Sequence, residues 1–332
     1  MPSRQTHHFY IFNKTSNRLR PLIILFFIGT LCHAQNYVDL LNLGFGQTFE
    51  NQFENSSEST NVSSFDANLT VPLVLNDKHT LVTGGIFSYS NLRVFPERSP
   101  ALVEIPFYIN ENVNLFSSTL KVGLATTYNE KWSSTLVLLP KIASDYQNLS
   151  SDDFYVGGYG IVKWKKNDRF IYKAGFYASQ EAFGLFATPI FGWYSIGEDN
   201  RFEMDMSLPI AADINYTPGA ITYGVNYVGI GRSFRVHNTE SANSRVYLDV
   251  TALEFSGYVQ FNFMEKSTLL RAKLGYSSND YELYNQDETI DFGLSAFSFG
   301  DDRTQLNPNV SGSLFFRLEA IYRFHISSDD SD

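Results

Sequence analysis

The chain has 332 residues, 43% of them hydrophobic and 16% aromatic, and carries 35 Asp and Glu against 25 Lys and Arg for a net charge of −10. That acidic balance argues against a nucleic-acid partner, which needs clustered cations to meet phosphate. The single cysteine leaves neither a disulfide scaffold nor a thiolate metal centre.

At the amino terminus Arg4, Lys14, Arg18 and Arg20 precede an apolar run over 22–31, followed by Cys32, His33, Ala34 and Gln35. This order predicts a secretory signal cleaved after Ala34. The run is about half the ~20 apolar residues that a membrane-crossing helix needs, and Leu31 is not the small residue a lipidation signal places before its cysteine. Cleavage would remove four basic residues, no acidic ones and the only cysteine, taking the net charge from −10 to −14. The expected organisation is a signal peptide over 1–34, a β-barrel over 35–324 and a polar acidic tail over 325–332.

From there the chain alternates with a period of two. Phe65, Ala67, Leu69, Val71, Leu73 and Leu75 share one face and Ser64, Asp66, Asn68 and Thr70 the other; 202–212 and 254–263 repeat the pattern. A two-sided antiparallel sheet demands this, and no continuous apolar run marks a parallel one. Short polar turns are expected at 76–79, 129–131, 166–169, 197–200 and 264–266, and long loops at 51–61, 95–112, 145–153, 236–244 and 277–309. Tight turns at one rim and long loops at the other is the plan of an outer-membrane barrel, whereas a secreted β-sandwich mixes loop lengths at both ends.

Two stretches complicate the count. The sequence 138–143 (Leu-Leu-Pro-Lys-Ile-Ala) resembles 207–212 (Ser-Leu-Pro-Ile-Ala-Ala), which reads as hairpin duplication. Alternatively, Pro140 and Pro209 remove ladder hydrogen bonds and kink a wall that could open sideways to lipid. The apolar phase also slips between Val246, Leu248, Val250 and Leu253, Phe255, which predicts a bulge. Thirteen strand-like segments are visible, an odd number that cannot return both termini to one side. Twelve or fourteen strands are therefore expected, with the uncertainty between 201 and 263.

The last strand is the clearest. Leu314, Phe316, Leu318, Ala320, Tyr322 and Phe324 alternate with Ser313, Phe315, Arg317, Glu319, Ile321 and Arg323. Two Arg and a Glu on one face opposite a greasy one suit a wall between lipid and a wet lumen. This strand, the signal ending in Ala34-Gln35 and the repeated turn, aromatic, Leu-Pro pattern together resemble an uncharacterised family of Gram-negative outer-membrane β-barrels defined only as a domain of unknown function. The resemblance implies the barrel and its location, and supplies no activity. The strand also resembles the signal read by the barrel-assembly machinery, with Phe324 as its aromatic end and Tyr322 and Phe316 on the same face, although a tail follows.

Candidate lumen residues are Arg271, Lys273, Arg317, Glu319 and Arg323, grouped as a basic sector, with Glu203 and Asp205 on strands farther back. Facing charges could set a transverse field in a porin-like channel, or pair and fill the interior. No enzyme is expected. Of the histidines past the signal, His79 and His325 fall at the short-turn rim, and His237 has only a polar loop, Asn238 to Ser241, beside it. The acidic residues of the loops lack the spacing of a calcium site, Gly157, Gly158 and Gly160 sit in a strand pattern with no phosphate-cradling helix, and no cofactor is expected. The functional expectation is a passive or facilitated outer-membrane pore for an unidentified small solute, with outer-membrane lipid and the assembly machinery as partners. The alternatives are a plugged barrel whose acidic loops bind, and, more distantly, a secreted soluble β protein.

Overall fold

One local device makes many of the tight reversals. Asn76 Oδ1 accepts the backbone N–H of Lys78 and of His79, both at 3.0 Å, and Asn129 Oδ1 accepts those of Lys131 and Trp132 at 2.9 and 3.0 Å. Asn167 and Asp199 do the same for Arg169 and Arg201. A side-chain oxygen that satisfies the amides of its own turn lets the chain reverse at once.

The computed structural model describes residues 37–96, 112–237 and 245–325. Their wall strands are β1 (Tyr37–Thr48), β2 (Ser63–Asn76), β3 (His79–Leu92), β4 (Val113–Thr127), β5 (Trp132–Ser144), β6 (Phe154–Asn167), β7 (Phe170–Glu181), β8 (Gly184–Ile196), β9 (Phe202–Leu208), β10 (Ala211–Tyr216), β11 (Ile221–Val236), β12 (Val246–Phe263), β13 (Thr268–Asn285) and β14 (Ser313–His325). Each pairs antiparallel with its neighbours, and β14 joins β13 to β1, so the sheet closes as a fourteen-stranded barrel. The expected signal and cleavage site lie outside the described residues, as does the expected tail over 325–332 except for His325, which ends β14.

Four expectations need correction. The run 202–212 is not one strand: Ile210 N donates to Ser207 O at 2.9 Å, and Pro209 and Ile210 turn the chain between β9 and β10. This was the uncounted strand. Its apolar alternation passes straight through the turn, which hides it. The resemblance between 138–143 and 207–212 is therefore not structural duplication, because Pro140 stays inside β5, paired with Val156.

The bulge in β12 is also absent, since β12 keeps unbroken register with β11 and β13 from end to end. Its apolar face changes sides for another reason. Val246, Leu248 and Val250 point inward into an apolar cap, whereas Leu253 and Phe255, lower on the strand, are exposed outward. Finally, the long loop before β14 is shorter than expected, because 277–285 belongs to β13.

The outer surface is apolar. Leu120, Leu136, Leu138, Phe176, Phe191, Val225, Phe255, Leu274, Leu314 and Leu318 are all exposed. Aromatic belts bracket this zone: Trp132, Trp164 and Tyr172 lie side by side near the short-turn rim, the last two stacked, and Phe65, Phe87, Phe116 and Tyr146 form a row near the other. An apolar band between two aromatic girdles is the exterior of a transmembrane barrel.

The long-loop mouth is capped. Phe53, Leu92, Phe95, Leu115, Phe183, Phe234, Tyr247, Leu248, Leu283 and Ile290 form one buried cluster from strand tops and loops. The top of β11 leaves the wall to build it. Arg235 bridges to Ser144 at the end of β5, and Ser233 donates its backbone N–H and its hydroxyl to Glu181 at 3.0 and 2.9 Å.

Candidate functional site

Below the cap, inward-facing side chains line a lumen cavity of about 820 Å³. Turn and terminal residues Asp168, Arg169, Asn200, Arg201, Lys266 and His325 border it, so this vestibule faces the short-turn rim. Its volume is that of a small-molecule site, about 300–1,000 Å³.

Two arginines are held rigidly in its wall. Arg323 forks onto Asp39, Nε to Oδ1 at 2.6 Å and NH2 to Oδ2 at 3.1 Å, with its guanidinium 3.5 Å from the centre of the Tyr37 ring. The Tyr37 hydroxyl reaches across the lumen to donate to Glu203. Arg271 lies 4.1 Å from the centre of the Tyr258 ring, donates from Nε to Gln260 Oε1 at 2.8 Å, and has NH1 3.7 Å from both Asp213 and Glu319. Tyr258 donates its hydroxyl to Asp213 at 2.8 Å. Lys173 pairs with Asp205. A guanidinium fixed by a carboxylate and an aromatic face keeps its orientation without water.

All seven lumen candidates face inward, but they do not form one site. Arg271, Arg323, Glu203 and Asp205 line the vestibule. Lys273, Glu319 and Arg317 do not; Lys273 Nζ lies 2.6 Å from Glu319 Oε1 and Arg317 NH2 3.2 Å from Glu254. The expected basic sector is thus divided into ion pairs. Sequence reasoning missed Tyr37, Asp39, Lys173, Tyr194, Asp213 and Tyr258. For Lys173 the signal was present, between outward Tyr172 and Ala174 on β7. The partners were not legible, because they come from strands distant in the chain.

The histidines are placed as expected, His79 and His325 at the short-turn rim. His237 has a fuller setting than its neighbours suggested. Its backbone N–H donates to Asp145 Oδ2 at 2.7 Å, its Nδ1 is 3.0 Å from Asp145 Oδ1, and its Nε2 is 3.4 Å from Asp153. Both carboxylates are buried. Bonded to Asp145 through its backbone N–H and its Nδ1, His237 ties the top of β11 to the loop after β5. Residues 238–241 lie outside the described residues. Among the described residues no group of three His, Cys, Asp or Glu could hold a metal ion.

The loop over 286–312 is fastened by Arg303, which donates to both oxygens of Asp301 at 2.9 Å, to Asp249 at 3.0 Å and to the Tyr247 hydroxyl at 3.1 Å. These bonds hold the Asp301 carboxyl below its ordinary value, despite some burial. A lowered carboxylate contributes stability that is fully present above the unfolded pKa of about 3.9 and is lost as pH falls through the lower folded value. Hydrogen exchange of the loop amides, followed downward from neutral pH, is expected to lose protection across that acid window. The Asp301→Asn variant is expected to lose this step.

No protein-family model matches the chain, and no curated protein does. Among solved structures, an outer-membrane channel from Pseudomonas putida F1 is 11% identical, covering 86% of this chain and 94% of that one at a TM-score of 0.40. A mutant of the TodX monoaromatic hydrocarbon channel is 10% identical, covering 86% and 90% at 0.37. The NanC porin is 9% identical, covering 85% and 98% at 0.33.

Proposed function

We propose that this chain is an outer-membrane β-barrel that acts as a facilitated channel for a small solute bound in its vestibule. One observation carries the reading: a closed barrel with a greasy exterior holds a charged cavity of about 820 Å³ facing the short-turn rim. The apolar cap favours a binding vestibule over a wide passive pore. It also favours the second reading, a plugged barrel whose loops bind a partner.

The protein should fractionate with outer membranes and change its gel mobility when boiled. In reconstituted liposomes, flux of small charged solutes should be saturable and should change severalfold in Lys173→Gln. Absence of any flux through correctly folded protein would leave the plugged barrel.

Assembly supplies a separate expectation. Tyr322 is exposed on the outer face of β14, where Leu318 and Phe324 share its phase, and this aromatic end is proposed as what the assembly machinery reads. Phe324→Ala is expected to lower the folded fraction severalfold, whereas deletion of 326–332 leaves it unchanged. A harmful tail deletion with a silent Phe324→Ala would refute the assignment.

A further inference from the structure

Strand length limits how high the wall stands between β8 and β11. β9 has seven residues and β10 six, which at about 3.4 Å each reach about 20–24 Å. Tilted by about 40°, they rise less than the ~25 Å of an apolar band. The hairpin tip at Pro209 and Ile210 therefore ends inside the membrane zone. Above it, β8 pairs with β9 only up to Phe191↔Leu208, and β11 pairs with β10 only up to Ala211↔Val228. One loop segment partly fills the gap, with Gly293 and Leu294 beside Phe186 and Ala187.

A cavity of about 480 Å³ remains in this seam. It lies between the inner face of β7 and β8 and the outer face of the inward-leaning top of β11 and β12. Phe186, Ile210, Gly229, Gly231, Leu253 and Phe297 line it, and Leu253 and Phe297 are 42% and 68% exposed. Its lining is mostly apolar, in contrast to the charged vestibule. Tyr227 borders both cavities, beside the hairpin tip and its contact with β11, where Gly229 N donates to Ile210 O at 2.8 Å.

We propose that solute passes between the vestibule and the membrane sideways through this seam, and that the solute is a small amphiphile, a hydrocarbon chain or ring with one polar or charged end. The proposal rests on the facilitated-channel reading. The vestibule supplies fixed charges for the polar end and the seam an apolar slot for the body.

The test uses full-length protein in liposomes with dansylundecanoic acid as probe, supplied either dissolved in the lipid or from water. Wild type should enhance the probe's fluorescence saturably, and the two modes of supply distinguish loading from the membrane from loading through the vestibule. An added Cβ at Gly231 would lie 3.9 Å from its nearest neighbour, Phe186, so Gly231→Trp should fold and block the slot. Thr251→Trp, from the adjacent strand, is a second block. Heat-shifted mobility establishes that each variant is folded. A loss of binding of tenfold or more in both variants supports the seam. Unchanged binding in the folded variants, or no binding by wild type, overturns it. Flux of a hydrophilic solute in the same liposomes tests the channel reading separately and is expected to survive Gly231→Trp.

Discussion

Glu319→Ala is expected to destabilise the barrel by about 3–5 kcal/mol, the cost of leaving a buried charge without its partner. Glu319 is 8% exposed and Lys273 7% exposed in their side chains, 2.6 Å apart, and Arg271 NH1 approaches the same carboxylate at 3.7 Å. Removing this anion leaves Lys273 without its carboxylate and Arg271 with Asp213 alone, in a lumen where little water can screen the two cations. Urea unfolding of the reconstituted protein measures the loss. The double variant Glu319→Ala, Lys273→Met should recover most of it, because it removes the orphaned charge. A single variant as stable as wild type would mean that water reaches the pair.

Phe234→Ala is expected to cost about 3–5 kcal/mol through the cavity it leaves. Phe234 is 2% exposed and stands on the part of β11 that leans across the outer mouth. It therefore joins stability to closure. The same substitution should raise ion leakage, since β11 is held over the mouth by this side chain, by Ser233 on Glu181 and by His237 between Asp145 and Asp153. His237→Ala should move leakage in the same direction by a smaller amount, without a cavity in the apolar cluster. Electrical recording of both variants beside wild type separates loosened packing from a lost tether.

Much of the barrel was legible because one solvent acts on each face of most strands. On β14, lipid takes Leu314, Leu318 and Tyr322 and the lumen takes Arg317, Glu319 and Arg323, so alternation alone assigned all six. Turns capped by Asn76 and Asn129 were legible because the device is local. Legibility failed where two demands had the same chemistry. In β12 the cap and the lipid both want apolar residues but from opposite faces, which imitates a bulge between Val250 and Leu253. In 202–212 the apolar alternation of two short strands hides the turn at Pro209. The vestibule was half legible: the inward charges could be named, but Tyr37 meets Glu203 across 166 positions of sequence, and no local pattern encodes such a pair.

Planar-bilayer recording of the folded wild-type protein beside Phe234→Ala decides whether a membrane-spanning barrel carries a vestibule at one rim and a closed apolar cap at the other. Wild type is predicted to show no large ohmic steps, and Phe234→Ala to show increased conductance. Large, steady, voltage-independent steps from wild type would contradict the closed cap.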